Sequence, residues 1–342
     1  MKKLIATFLA IAILSIGMAQ TVRRVNNLPG ITGTNVYTTP QAAHDAAVAN
    51  DILIIDPSSI GYGDLTLTKP LKIYGNGYHL NINTELKVNT SPSTMGSVWF
   101  NTGSGGSEMY GISASVVYIQ GVSNITVARN KMSSFYIYTY NKANNVNTSV
   151  ANINCSRNQI SNIGVGGGTA GTTVSSVLVI NNLIYYIAAN TDPLVQSWVV
   201  RNNTITFPST SAVTLVNSVF ENNLLAGNVN SGITTTNVSA SYNVSTGTAV
   251  MAGIGNVSAY DVAADLIGTG AGISEDEAYK VKPATGLLTM GSSSSQVGAY
   301  GGLTPYIVSG IPAIPAITSM INSGTGNNTT PIQVTISAKS NN

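Results

Sequence analysis

The stretches VRNNTI (residues 200–205) and FENNLL (residues 220–225) repeat one pattern, a pair of asparagines between apolar residues, after 20 residues. The second asparagine of the pair recurs as an anchor in six segments along the chain. The six anchors are Asn130, Asn158, Asn182, Asn203, Asn223 and Asn243, at intervals of 28, 24, 21, 20 and 20 residues. A recurring interval of this length is typical of solenoid proteins, in which each repeat forms one coil.

Apolar residues stand at fixed distances from each anchor. The position three residues before the anchor is occupied by Val127, Cys155, Val179, Val200, Phe220 and Ala240. Apolar and polar residues alternate before the anchor, which is the period of a β-strand, and the alternation resumes after it. The pattern predicts an all-β, single-stranded parallel β-helix, with strand, bend and strand in each coil and neighbouring coils about 4.8 Å apart.

The anchor asparagines have a structural interpretation that requires no chemistry. Asparagine tolerates the left-handed backbone conformation better than most residues, so we expect each anchor to occupy the bend. Stacked copies can pass amide hydrogen bonds from coil to coil, as asparagine ladders do in other stacked strands. In the same register Cys155 lies in a core column and is expected to be a small buried hydrophobe.

Residues 1–19 have the features of a bacterial signal peptide: Lys2 and Lys3, the apolar run LIATFLAIAIL and small residues at a cleavage site. We therefore expect a secreted or cell-surface protein without a transmembrane span. Without Lys2 and Lys3 the chain has equal numbers of basic and acidic residues, and only 8% of all residues are charged. This balance argues against nucleic acid or an anionic membrane as a partner.

Both ends of the chain are similar to known β-helix proteins. TTPQAAHDAAVANDILIIDPS (38–58) and LTLTKPLKIYGNGYHL (65–80) resemble the opening of the pectin-lyase-like right-handed parallel β-helix superfamily. VGAYGGLTPYIVSGIPAIPAI (297–317) and PIQVTISAKS (331–340) resemble the closing part of uncharacterised exported β-helix proteins of Bacteroidetes-type bacteria. The resemblance implies a right-handed β-helix over residues 20–302 with a cap helix within 38–50. An extended tail over 303–342 with a terminal strand at 331–340 follows.

The resemblance leaves the function open, because the superfamily contains lyases, hydrolases, epimerases, adhesins and phage tailspikes. Its enzymes mostly use calcium held by clustered acids with an Arg or Lys base, or paired carboxylates with a nearby His. From residue 109 to 260 the only acids are Asp192, in a turn-like TDP, and Glu221. The sequence therefore predicts no metal and no cofactor.

A polysaccharide lyase or glycoside hydrolase remains an alternative. Its candidate catalytic residues are Arg129 and Arg157, one residue before their anchors, with Glu221 and Lys131. Arg201 and Glu221 stand at equivalent positions in neighbouring coils, so an exposed ion pair is the structural alternative for Glu221.

The strand FYIYTY (135–140) carries the best candidate for ligand binding. Phe135 and Ile137 align with inward positions of the next coil, so Tyr136, Tyr138 and Tyr140 are expected to form an outward stripe. Exposed aromatic rings bind sugars by stacking and anchor protein contacts, although tyrosine also favours strands for structural reasons alone. We therefore expect a non-catalytic, structural or adhesive surface protein that binds glycan or protein along its outer face.

The tail ends in IQVTISA (332–338), where apolar residues alternate with polar ones. Such a strand either covers the open C-terminal end of its own stack or adds to the sheet edge of a partner. The second option predicts a homo-oligomer. A self-assembling surface structural protein is therefore a third function that the sequence leaves open.

Overall fold

Parallel β-strands dominate the computed structural model, which describes residues 20–141, 145–166, 171–188, 195–206, 213–227, 233–248, 251–327 and 329–340. Up to residue 147 the strands are β1 (Val22–Val25), β2 (Val36–Tyr37), β3 (Ile52–Ile55), β4 (Leu65–Leu67), β5 (Lys72–Tyr74), β6 (Ser93–Phe100), β7 (Glu108–Tyr110), β8 (Ile112–Gln120), β9 (Ile125–Ala128), β10 (Lys131–Tyr138), β11 (Tyr140–Asn141) and β12 (Val146–Asn147). The later strands are β13 (Val150–Ser156), β14 (Gln159–Gly166), β15 (Val174–Ile180), β16 (Leu183–Ala188), β17 (Val195–Gln196), β18 (Val199–Arg201), β19 (Thr204–Ile205), β20 (Val213–Val216), β21 (Val219–Glu221), β22 (Leu224–Leu225), β23 (Ile233–Thr236), β24 (Ser239–Ser241), β25 (Val244–Ser245), β26 (Ala316–Asn322) and β27 (Val334–Lys339). The predicted signal peptide lies outside the described residues.

Two large sheets contain most of these strands. The first has 12 strands in the order β2-β1-β3-β5-β7-β9-β13-β15-β18-β21-β24, with β17 beside β15, and the second has nine in the order β4-β6-β8-β10-β14-β16-β19-β22-β25. Neighbouring strands are parallel in both sheets. From β3 to β25 the chain passes from one large sheet to the other, so each circuit adds a strand to both. The predicted all-β architecture of stacked parallel strands is therefore confirmed.

The core lies between the two sheets. Strands β9, β13, β15, β18 and β21 pair so that one column of inward side chains runs through the stack, and these side chains are Val127, Cys155, Val179, Val200 and Phe220. All five are fully buried. Burial raises the pKa of the Cys155 thiol to about 12, although a hydrogen bond from Asn158 opposes the shift. The prediction that Cys155 is a buried hydrophobe is confirmed.

The prediction that the anchor occupies the bend is wrong by one residue. The residues with left-handed backbone, φ between 54° and 59°, stand directly before the six anchors and are Arg129, Arg157, Asn181, Asn202, Asn222 and Tyr242. This residue turns the chain, and the turn carries the side chain of the following anchor beneath the corner. In each Asn–Asn pair, the first asparagine therefore forms the bend and the second places its amide in the interior of the stack.

A short helix, α1 (Pro40–Ala46), covers the N-terminal end of the stack. The Thr39 side chain accepts a backbone N–H of the first turn at 3.2 Å, and a proline occupies the first turn. The helix lies within the expected range 38–50 and ends at Ala46 because Ala47 is extended, with φ −78° and ψ 153°. His44 is buried, and its Nε2 accepts the Thr68 N–H at 3.1 Å, which fastens the helix to the first coil.

Residues 251–297 cover the C-terminal end of the stack. They contain α2 (Val262–Asp265) and 3-10 turns at Glu277–Tyr279, Gly286–Leu288 and Ser292–Ser294. A second core joins them to the last coils, and its buried members are Leu224, Val244, Val262, Leu266, Leu287 and Val297. Of the two options for the terminal strand, the structure does not show the one in which it covers this end, because residues 251–297 occupy that place and the strand pairs with another part of the tail.

The tail forms a separate two-stranded antiparallel sheet from β26 and β27. Ile317 O accepts the backbone N–H of Val88 at 3.1 Å, so the hairpin begins beside the loop that precedes β6. Another 3-10 turn, Val308–Gly310, lies on the path from the second core to this hairpin. Across the described ranges no helix has the length and apolarity that a membrane span requires.

Candidate functional site

The anchor asparagines form a continuous amide ladder under one corner of the stack. Each Nδ2 donates to the Oδ1 of the next anchor, at 3.2 Å from Asn130 to Asn158 and at 3.0 Å from Asn203 to Asn223. Each Nδ2 also donates to a backbone carbonyl, such as Val179 O from Asn203 at 2.7 Å. The ladder continues to Asn256, which accepts from Asn243 at 2.9 Å. Buried amides with all these bonds made have no capacity for a ligand.

The residues directly before the anchors hold the C-terminal part of the chain. We call Arg129, Asn181, Asn202 and Asn222 the clamp column, and residues 291–312 the strap. Asn181 Nδ2 donates to Ala299 O at 2.8 Å and to Gly301 O at 2.7 Å. Asn222 and Ser292 exchange two hydrogen bonds, at 2.8 and 2.9 Å. The clamp column therefore binds the strap along the outside of the corner.

Arg129, a sequence candidate for catalysis, belongs to this clamp column, and Arg157, a second candidate, holds the same position before its own anchor. Arg129 is buried, and its Nη1 donates to Ile311 O of the strap at 2.9 Å. Burial, followed by the nearby Arg157 charge, lowers the pKa of the Arg129 guanidinium. Burial also lowers the pKa of Arg157, whose buried Nε has no hydrogen-bond partner among the described residues. The strap covers Arg129, so this guanidinium is not open to a polymeric substrate.

The third candidate, Glu221, lies in an ion pair. Its Oε2 is 2.8 Å from Arg201 Nη2, and the two residues face each other across β18 and β21. This is the cross-coil arrangement that the spacing predicts. Asp192 lies outside the described residues.

An aromatic column follows the outer face of the second sheet. Trp99 stacks on Tyr118 with centroids 5.7 Å apart, and Tyr118 stacks on Tyr136 at the same distance. The ring centroid of Tyr138 lies 5.8 Å from that of Tyr136. The column therefore contains two of the three predicted tyrosines and two rings that the sequence interpretation missed. Tyr140 falls in β11 instead, which pairs with β12 in a small hairpin.

The rings of the aromatic column are half-buried because they cover one another. In the next coil, glycines face the ends of the column: a Cβ at Gly164 would lie 2.5 Å from Tyr136 Cε1, and one at Gly166 would lie 2.7 Å from Tyr138 Cε1. Asn162 Nδ2 donates to the Tyr136 hydroxyl at 3.0 Å. The column thus presents ring edges and hydroxyl groups to solvent.

A polar cluster surrounds Lys131, the remaining sequence candidate for catalysis, on the same sheet, and the sequence interpretation missed its other members. We define it as His79, Lys131, Gln159 and Glu275. Lys131 Nζ donates to Glu275 Oε2 at 2.9 Å, and His79 Nε2 lies 2.8 Å from Gln159 Oε1. The amide oxygen can only accept, so we assign the ring proton to Nε2. Since 144 residues separate Lys131 from Glu275, no local sequence pattern predicts the contact between them.

Glu275 is the single carboxylate of the polar cluster. Burial raises its pKa, but the hydrogen bond and charge of Lys131, together with Gln159 and His79, outweigh burial and lower the pKa below its usual value. The side chain is therefore ionised at neutral pH. An ionised carboxylate accepts hydrogen bonds from hydroxyl groups, whereas the general acid of glycoside hydrolysis must hold a proton.

A small pocket opens beside the polar cluster, between β14, β16 and the turn at Glu277–Tyr279. Its polar and aromatic lining comes from Gln159, Ser161, Tyr185, Thr206, Glu275 and Tyr279. A volume of about 60 Å³ holds a few hydroxyl groups and not a whole sugar ring.

A groove meets this pocket at Ser161 and crosses four coils. It is lined mainly by hydroxyl groups and by one ammonium group, from Thr94, Ser113, Ser115, Lys131, Ser133 and Ser161. Three coil spacings correspond to about 14 Å. Groove, pocket and aromatic column share one face of the second sheet, and together they form the candidate site.

The described part of the chain contains no group of three or more His, Cys, Asp or Glu side chains arranged to hold a metal ion. Comparison with models of protein families, with curated proteins and with solved structures finds no match to this chain.

Proposed function

We propose that the protein is an exported, non-catalytic, right-handed parallel β-helix of the pectin-lyase-like kind that binds glycan along its outer face. The fold part is supported by the alternation of the chain between two parallel sheets and by the amide ladder at the corner. Export is supported by the apolar, Lys-initiated segment at residues 1–19.

The observation that carries glycan binding is the hydroxyl-lined groove on the second sheet. It runs across the coils on the same face as the rings of the aromatic column. Glycans offer many hydroxyl groups and apolar C–H faces, and small polar side chains beside aromatic rings complement both. An elongated groove suits a polymer more than a compact metabolite.

A glycan array probed with the purified protein tests this function. We expect binding to one structural class of polysaccharide, and we expect Trp99→Ala together with Tyr118→Ala to weaken it. A broad array without any bound glycan, from a protein with a cooperative unfolding transition, would contradict the proposal.

A lyase is the second candidate, because Lys131 lies beside an imidazole and a carboxylate. A lysine can remove the proton next to a uronate carboxyl group, the first step of a lyase reaction. Incubation with acidic polysaccharides, followed by ultraviolet absorbance of unsaturated products, tests this candidate. Loss of the absorbance signal in Lys131→Met would support it, and no signal across a broad panel would remove it.

Self-assembly through the tail is the third candidate. The β26–β27 hairpin exposes apolar side chains: Ile317, Met320, Val334 and Ile336 are each about half exposed. An isolated two-stranded sheet is marginally stable in water, so a second copy would stabilise it. Size-exclusion chromatography of the chain with and without residues 318–342 tests this candidate, and equal elution as a monomer would contradict it.

A further inference from the structure

We propose that the pocket beside Tyr185 is a saccharide subsite, and that its ligand is an uncharged sugar residue with adjacent free hydroxyl groups. The inference rests on the glycan binding proposed above and adds a place and a chemical class to it. Three observations carry it: an exposed ring, compensated charges and a pocket with the volume of a few hydroxyl groups.

Tyr185 is the most exposed aromatic residue of the described part of the chain, at 49%. It stands at the unpaired position of β16, between Ile184 and Tyr186, which pair with β14. The rings of the aromatic column cover one another's faces, whereas no aromatic ring of the described residues stacks on Tyr185, so its exposed surface is available to the C–H groups of a sugar.

The charges at the pocket favour a neutral sugar. Lys131 and Glu275 are one cation and one anion in contact at 2.9 Å, so their fields largely cancel. The other oxygen atoms that line the pocket include the neutral hydroxyl groups of Ser161 and Thr206. A uronate would bring a carboxylate next to that of Glu275, and this repulsion selects against acidic sugars.

The hydrogen-bonding groups match adjacent hydroxyl groups. The Glu275 side chain is 61% exposed, so its carboxylate can accept from two neighbouring hydroxyl groups of one ring. Gln159 is held by His79 at its amide oxygen, and its amide nitrogen faces Glu275. The ring of the sugar then lies over Tyr185 while its hydroxyl groups enter the pocket.

Isothermal titration of the full chain with three hexasaccharides tests the subsite. The probes are hexamers of glucose, mannose and galacturonic acid. We expect at least one neutral hexamer to bind more tightly than the acidic one. Tyr185→Ala and Glu275→Gln are each expected to lower its affinity at least about tenfold, the loss of one stacking contact or one pair of charge-assisted hydrogen bonds.

Matched controls separate the pocket from general effects. Glu277→Gln changes an acid of the same turn that pairs with Lys280, and Leu178→Ala removes an exposed side chain from the other sheet. Both are expected to leave the affinity within twofold. Thermal unfolding of all variants checks that the fold is retained.

The outcomes distinguish the subsite from the broader function. Preference for the galacturonate hexamer would overturn the chemical class. In another outcome, a neutral hexamer binds Tyr185→Ala and Glu275→Gln as tightly as wild type but fails to bind Tyr118→Ala. That result would overturn the subsite and place glycan binding on the aromatic column. If no hexamer and no glycan of a broad array bound the protein, both the subsite and the proposed glycan binding would be overturned.

Discussion

The corner of the coils and the outer face of the second sheet use similar small polar side chains in opposite ways. At the corner, each amide bonds to its own copy in the next coil, so that the donors and acceptors of Asn203 are used within the stack. On the outer face, the stacked positions hold different residues, such as Ser113, Lys131 and Gln159 in neighbouring coils. Identical side chains in a column build a scaffold, and a change of residue type from coil to coil leaves groups available for a ligand.

The largest expected effect comes from breaking the ladder. Asn203→Ala removes an amide that accepts from Asn182 and donates to Asn223 and to Val179 O, and it leaves buried partners without bonds. Unsatisfied buried groups cost about 1–3 kcal/mol each, so we expect a loss of about 4 kcal/mol or failure to fold. Urea unfolding followed by circular dichroism measures it.

The control for the ladder is Asn154→Ala, which changes an asparagine that is half exposed on the outer face of the first sheet. Its cost should stay within about 0.5 kcal/mol. Equal costs for both variants would show that the ladder is no more stabilising than a surface asparagine.

The clamp column is expected to give the next largest effect. Asn181→Gly removes two hydrogen bonds to the strap and keeps the left-handed backbone, at a cost of about 2 kcal/mol. Asn181→Ala adds about 1 kcal/mol, because alanine tolerates φ of 55° poorly. Hydrogen exchange should be faster at Ala299 and Gly301 in both variants. Unchanged exchange there would mean that Asn181 does not hold the strap.

The sequence predicted the strands because their inward positions repeat at a constant distance from each anchor. It misplaced the bend by one residue, since both members of an Asn–Asn pair tolerate left-handed backbone and the pattern alone does not separate them. Arg129 and Arg157 stand at the same position before their anchors. Arginine, unlike asparagine, is not typical of left-handed backbone, so these two residues did not reveal where the bend lies. Asn256 escaped detection because it follows Asn243 after only 13 residues.

The candidate site was harder to predict than the fold. Tyr136 and Tyr138 were found by strand alternation, but β10 ends at Tyr138, so Tyr140 leaves the column. The polar cluster joins residues from the first turn, two coils and the C-terminal cover. Only the stacking of coils brings Glu275 to Lys131, and a cap segment carries no repeat that would place it.

The aromatic column gives a smaller expected effect on stability. Gly164→Ala places a Cβ 2.5 Å from Tyr136 Cε1, so the ring must move and its stacking on Tyr118 is disturbed. We expect a cost of about 1–2 kcal/mol and a changed near-ultraviolet circular dichroism spectrum. Gly61→Ala is the control, since its Cβ would meet no atom closer than 4.0 Å. Identical spectra for wild type and Gly164→Ala would contradict the packing of this column.

The smallest expected effect belongs to the Arg201–Glu221 pair. Arg201 is 44% exposed, so water and salt screen its attraction to Glu221 at 2.8 Å. A double-mutant cycle with Arg201→Met and Glu221→Gln should give a coupling of about 0.2–1 kcal/mol that falls at high salt. A larger, salt-independent coupling would indicate a desolvated pair. If Glu221→Gln abolished turnover of an acidic polysaccharide while leaving the unfolding midpoint unchanged, this carboxylate would be catalytic, and the outer corner would have a function beyond holding the coils together.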